Sequence, residues 1–322
     1  MTYTSGGLIQ ATDYNGFVST TSGANVNNVW STGSVDAGWG QPALSTVAAT
    51  NTVTATQWAT LVNTLTNMGG QTNTVITSRS APTAGQTIGI LAALNTDLTN
   101  ITNNRLNAAA NGTQFTGWTG TNSKTGTTSG GTWSITFTNT VTWASADAAR
   151  YFFNAGGRIK IDVSKTSTGG TGDPEWNDLA NNLCGDIFIT GGTATQTIAG
   201  AAYTGTTRVG GSASPNILLT TTGWYDLTAG AAATIVYKQF ADTAPYTSNF
   251  IQHSIAKNAG STALTITTLW SASDGDPISG GTAASGATPG TAPCTIVTYF
   301  PPSSTYLSTT SWGTPTVAAT TA

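Results

Sequence analysis

"ARYFFNAGGRIKID", residues 149–162, joins two unlike patterns across a pair of glycines. The right half alternates. Ile159, Ile161 and Val163 fall on one face, and Arg158, Lys160 and Asp162 on the other. Period two over this length predicts a half-buried β-strand. The left half packs Tyr151, Phe152 and Phe153 together just before Gly156 and Gly157. Ser145 is placed to cap a short helical turn through Asp147, Ala148, Ala149 and Arg150. The three aromatics are then expected to plug one open end of a β-structure. Asn154 and the glycines reverse the chain, because glycine tolerates positive φ.

Downstream, runs of the same kind recur: "TWSITFTNTVTW", "GDIFIT", "NILLTTTGWYDL", "TIVYKQF", "NFIQHSIAK", "ALTITTLW" and "TIVTYFPP". Turn-rich segments such as "TGGTGDP", "SDGDP" and "SGGTAASGATPG" separate them. With no helix expected between these strands, the pattern predicts an antiparallel β-sandwich of jelly-roll-like kind. The composition agrees. Only 7% of residues are charged, against about 25% in ordinary soluble domains. Thr, Ser, Asn and Gly take their place, which favours strands and turns over helices. A hydrophobic fraction of 38%, with ten Trp, nine Tyr and nine Phe, suffices for a core.

Upstream, "TVTATQWATLVNTLTNMGG" predicts a helix capped by Thr54 or Thr56. Trp58, Leu61, Val62, Leu65 and Met68 share one face, and Gly69 ends it. A second helix follows Pro82, where Leu91, Leu94, Leu98 and Ile101 are spaced as a short a/d seam. Two readings of that seam stand: an amphipathic helix packed on its own domain, or a self-associating stem. "NVWSTGSVDAGWGQP", residues 28–42, reads as an ordered loop anchored by Trp30 and Trp39. The chain is thus mainly β, with a small N-terminal region containing two short helices. The expected boundaries are residues 1–80 for that region, 81–112 for the helical stem, 113–302 for the sandwich and 303–322 for an extended arm. That arm is expected to order only against a neighbour.

Chemistry is thinly supplied. The single histidine, His253, sits in a strand where Ile251 and Ile255 share its face, which predicts a satisfied core residue. H-E-x-x-H, Cys-x-x-Cys, Walker A and G-x-S-x-G patterns are missing from the sequence. Carboxylates gather at Asp173, Glu175 and Asp178, and at Asp274 and Asp276. Such groups serve glycoside hydrolysis or Ca²⁺ binding in the right geometry, although plain turn chemistry explains them as well. Trp118, Trp133 and Trp224 are candidates for stacking on sugars, with core packing as the alternative. Cys184 and Cys294 either bridge or remain two buried thiols. The net charge of −3 and the lack of a Lys/Arg run argue against nucleic acid. No apolar run reaches the ~18 residues of a membrane span. No cofactor and no enzymatic activity are expected. The N-terminus lacks a signal-peptide pattern, so either a mature form begins here or the protein leaves its cell by another route.

Three segments carry a resemblance. "WASADAARYFFNAGGRIK" followed by "WNDL", then "YTSNFIQHSIAKN" with "LTITTLWSASDGD", and at the front "ATDYNGFV" with "NNVWSTGSVDAGWGQ", together resemble a module of virion structural proteins from tailed, cyanophage-like bacteriophages. The resemblance covers most of residues 8–276. It implies a place in a particle, as tail fibre, neck or appendage, and no catalytic residues. It also implies synthesis in the host cytoplasm and release without a signal peptide. On that basis residues 1–80 are expected to attach to other virion proteins through the Trp30–Trp39 loop, and the Leu91–Ile101 seam to form a homo-oligomer, a trimer for a fibre. The sandwich would face outward and contact a host glycan, and a chain beginning near Phe115 is expected to fold alone. A carbohydrate- or receptor-binding adhesin is the competing reading, and a polysaccharide depolymerase a third.

Overall fold

The structure is a computed structural model. It describes residues 10–19, 24–85, 91–116, 133–165, 173–272, 278–279, 282–283, 293–300 and 302–321. Among these residues, four helices occupy the first third: α1 (Ala11–Val18), α2 (Val26–Trp30), α3 (Ala55–Thr72) and α4 (Leu91–Asn103). The remainder runs β1 (Phe115–Thr116), β2 (Trp133–Thr142), α5 (Ala146–Asn154), β3 (Arg158–Lys165) and α6 (Asp173–Asp178), which a π-type turn extends over Leu179–Leu183. Next come β4 (Asp186–Ile189), β5 (Gln196–Ile198), β6 (Ala201–Tyr203), β7 (Thr206–Val209), β8 (Ile217–Leu218), β9 (Thr234–Phe240), β10 (Phe250–Lys257) and β11 (Ala263–Ala272). The last strands are β12 (Ile278–Ser279), β13 (Thr282–Ala283), β14 (Pro293–Phe300) and β15 (Thr316–Thr321).

The strands form antiparallel sheets. One has the order β1-β14-β3-β4-β7, the other β15-β2-β11-β10-β9-β8, and β5-β6 and β12-β13 are small hairpins. The register follows the alternation. In β3, Ile159, Ile161 and Val163 are buried, and Lys160 reaches Asp186 of β4 at 2.8 Å on the other face. Arg158 departs from the expected outward strand face. It is buried, its guanidinium carbon 4.7 Å from the Tyr203 ring centroid and 5.0 Å from that of Phe300. Aromatic faces stabilise a guanidinium there, while burial lowers its pKa.

Several expectations need correction. Among its described residues the N-terminal third holds four helices rather than two, and α3 is 18 residues long. Thr54 caps α3 as expected, its hydroxyl accepting from the Gln57 N–H at 3.3 Å. The helix passes Gly69 and stops at Asn73, whose φ of 53° is left-handed. The helical turn expected after Ser145 extends into a full helix, α5, and a further helix, α6, also interrupts the strand region, because both bury apolar faces there. Over its described residues, 303–321, the tail expected as an arm is ordered against its own chain. β15 pairs with β2 from Thr316↔Thr142 to Thr321↔Phe137, and Leu307 and Trp312 are buried. An uncharged, β-prone segment beside an open strand edge satisfies its backbone by joining it.

The N-terminal helices and both large sheets share one contiguous apolar cluster. Tyr14 and Phe17 of α1 pack edge-on to Trp58 of α3, with centroids at 5.6 and 6.2 Å. Residues 31–53 carry no regular structure, and asparagines hold them. Asn27 donates to the carbonyls of Val18 and Leu44 and accepts from the Leu44 N–H; Asn15 brackets Val47 in the same way. Such amides stand in for a strand partner, and buried backbone groups must find one.

Candidate functional site

The residues of the opening stretch lie where the N-terminal region meets the sheets. Ser145 caps α5, accepting from the Ala148 N–H at 3.0 Å. Ala148, Ala149, Phe152 and Phe153 then fall on one buried face, at the spacing an amphipathic helix requires. Trp143, Phe152, Phe153 and Trp224 form an aromatic cluster. Trp143 is 5.4 Å from each of the other three, and Phe153 stacks on Trp224 at 5.4 Å. Tyr151 is 8% exposed, under the Arg150 guanidinium at 4.6 Å. Gly156 takes φ +98°, and a Cβ on Gly157 would lie 2.5 Å from the Phe152 ring. The turn after α5 therefore requires both glycines.

A cavity of about 280 Å³ opens beside this cluster, between residues 35–36, Leu106, residues 191–196 and Tyr225–Asp226. Tyr225 supplies an aromatic wall, its hydroxyl donating to Asn154 Oδ1 at 2.6 Å. Burial pushes its pKa well above the ordinary phenol value. Asp226 is oriented by the Thr193 hydroxyl and the Gly223 N–H, each 2.9 Å away. Asp36 pairs with Arg105 at 2.5 Å. Gln196 donates to the Phe153 carbonyl at 3.1 Å, and its Oε1 is buried without a hydrogen-bond partner. An aromatic wall with carboxylates and an amide suits a polar ring that stacks on one face and hydrogen-bonds at its edge. This site escaped sequence reading because its walls come from distant segments.

A second groove, of about 430 Å³, runs between the Trp30 loop and α3, lined by Tyr14, Trp30, Pro42, Leu44 and Thr60 among others. Trp30 donates from Nε1 to the Pro42 carbonyl at 3.0 Å and meets Trp39 edge-on at 6.5 Å. The two tryptophans of the expected attachment loop thus differ. Trp39 is buried in the core, and the half-buried Trp30 borders the groove.

The Leu94, Leu98 and Ile101 side chains are buried in this chain's own core. That placement corrects the stem reading, because the seam is already covered by α3 and its neighbours; the Leu91 side chain lies outside the described residues. Trp224 is 3% exposed and packs in the aromatic cluster, so it is no sugar platform. The side chains of Trp118, Trp133, Asp173, Asp274, Asp276 and Cys294 lie outside the described residues. Cys184 is a buried free thiol whose pKa burial pushes up to about 12, opposite to what a reactive thiolate needs. His253 is buried, 2.9 Å from Thr268 Oγ1 and stacked on Tyr237 at 5.3 Å. Burial lowers its pKa to about 3.

Comparisons with protein-family models, with curated proteins and with solved structures gave no match.

Proposed function

We propose that this chain is a non-enzymatic structural component of a bacteriophage particle, of the fibre, collar or tail-appendage kind. On this reading its two large sheets stack as a jelly-roll-like sandwich. The observation that carries the proposal is the use made of the reactive side chains. His253 is neutral and enclosed, and Cys184 is an inert buried thiol. Both are enclosed in the core, and neither lines the cavity at Tyr225 or the groove at Trp30. The resemblance of residues 8–276 to phage virion modules supports the same reading. Attachment to other virion proteins is assigned to the groove beside Trp30, whose apolar wall is open to a partner. Homo-oligomerisation remains part of the proposal, through a surface other than the α4 seam. Immunogold labelling of purified particles, with antibody raised against this chain, tests it. Label confined to one structure of the particle is expected. Label found only in the soluble lysate, or release of reducing sugar from host polysaccharide by the purified chain, would refute it.

The cavity beside Tyr225 favours a second reading for the same molecule, contact with a host glycan. Asp36 and Asp226 would accept hydroxyl hydrogens while the Tyr225 ring packs on the sugar face. Titration with oligosaccharides cut from the host surface should show saturable binding that weakens in Asp36→Ala. No binding at millimolar ligand would rule it out.

A further inference from the structure

α6 places Glu175 and Asp178 one turn apart, so both carboxylates project from one face. That face meets the loop after β9, which contributes Asp242. One carboxylate oxygen from each residue lies within 4.8 Å of the other two. The three are graded in burial, from the enclosed Glu175 through Asp178 to the exposed Asp242. The trio therefore has a buried floor and a mouth open to solvent.

The feature that separates this trio from an ordinary acidic surface patch is Glu175. Its side chain belongs to a residue only 7% exposed, and its Oε1 is buried with no hydrogen-bond partner. The hydroxyl and backbone N–H of Thr243 serve the carboxylate, yet that oxygen is left over. Asp178 accepts from Asn182 Nδ2 at 2.7 Å, and Asp242 from the Thr243 hydroxyl at 3.2 Å. None of the ion pairs among the described residues reaches any of the three. Three negative groups so close, one of them dehydrated, need a positive charge or a proton.

The donor set selects the counter-ion. All three ligands are hard oxygens, with no histidine or cysteine among them, which disfavours zinc. Ca²⁺ accepts oxygens at about 2.3–2.6 Å in flexible geometry, so two ligands on opposite sides of one ion stand about 4.6–5.2 Å apart. Oxygens within 4.8 Å of one another fit a single such shell. Mg²⁺ requires a tighter octahedron and gives up its waters reluctantly.

We propose that Glu175, Asp178 and Asp242 bind one Ca²⁺ ion that ties α6 to the loop following β9. The bridge has a structural purpose. Trp176, between the two ligands on α6, stacks on Trp270 of β11 at 5.6 Å, so fixing α6 also fixes that stack over the second sheet.

The test uses the full chain, stripped with EDTA and titrated with CaCl₂ by calorimetry, with thermal melts alongside. One Ca²⁺ per chain and a melting temperature that rises with CaCl₂ are expected. Asp242→Asn, at an exposed position that should not impair folding, is expected to weaken binding at least tenfold. Glu175→Gln should abolish it, and Asp147→Asn, on the exposed side of α5, should bind as the parent does. Three results would overturn the proposal: no heat and no thermal shift at millimolar CaCl₂, unchanged affinity in Asp242→Asn, or equal affinity for MgCl₂.

Discussion

The Tyr225 hydroxyl donates to Asn154 Oδ1 at 2.6 Å, while the same amide gives its Nδ2 hydrogens to the carbonyls of Ala37 and Gly38, each 3.0 Å away. One buried asparagine at the end of α5 thereby joins the Trp30–Trp39 loop to the segment that walls the 280 Å³ cavity. Asn154→Ala should leave the Gly38 carbonyl without a partner and the Tyr225 hydroxyl with only its longer bond to the Arg150 carbonyl at 3.3 Å, while the Ala37 carbonyl keeps the Arg150 guanidinium at 2.9 Å. A loss of about 1–3 kcal/mol is expected in denaturant unfolding, the usual cost of one orphaned buried group. Asn154→Asp should be at least as damaging, because a carboxylate oxygen would face the two carbonyls.

Phe153 lies at the centre of the aromatic cluster, within 5.4 Å of Phe152, Trp143 and Trp224. Phe153→Ala is expected to destabilise the chain by about 3–5 kcal/mol, the usual cost of a large core cavity. Chemical denaturation with a tryptophan-fluorescence readout measures it. A change well below 1 kcal/mol would show that the ring packs less tightly than its burial indicates.

The shared core bears on truncation. The N-terminal region contributes Tyr14, Trp39, Trp58, Leu65, Leu94 and Leu98 to the same cluster as the sheets. Gln41 pairs with Ser308 through both amide atoms, at 2.8 and 3.0 Å, across most of the sequence. A chain beginning near Phe115 would expose the apolar surface these groups cover. It is expected to be insoluble or to show no cooperative melt, in contrast to the independent folding that the strand pattern alone suggests. A soluble fragment with a sharp transition would argue for two separable cores.

His253 sets a pH dependence. Its folded pKa is lowered from 6.5 to about 3 by burial. The folded state therefore holds fewer protons than the unfolded one, and stability falls as pH drops. The contribution is complete above about 6.5 and is lost progressively down to about 3, several kcal/mol in all at about 1.4 kcal/mol per unit. Asp162 acts in the opposite sense. Its pKa, raised by burial, favours the folded state at low pH and ceases to do so as pH rises. Melts across pH 3–8 should show a steeper acid loss in the parent than in His253→Gln. Equal slopes would mean that His253 is not enclosed.

Much of the sheet structure was legible because burial in a strand repeats every second residue. Ile159, Ile161 and Val163 in β3, and Ile251, His253 and Ile255 in β10, display it directly. The α3 face was legible from its 3.6 spacing and the Thr54 cap. α1 was not. "ATDYNGFV" contains Asp, Asn and Gly, and it is held as a helix by packing of Tyr14 and Phe17 on Trp58, a contact formed only in the folded chain. The tail was misread for the same reason, because "TVAATT" carries little apolar signal and takes its register from β2. The candidate sites were the least legible part. Asp36 and Asp226, or Glu175 and Asp242, are neighbours only through the fold, and no local spacing announces them.

The central proposal is that this chain is a structural part of a phage particle rather than an enzyme. Quantitative mass spectrometry of gradient-purified particles from the lysate that carries this sequence tests it most directly. The account predicts the chain at a fixed copy number per particle, unchanged by high-salt washing, because an uncharged apolar groove at Trp30 should hold it without salt-sensitive ion pairs. Absence from the particles, or a copy number that washes to zero, would contradict it.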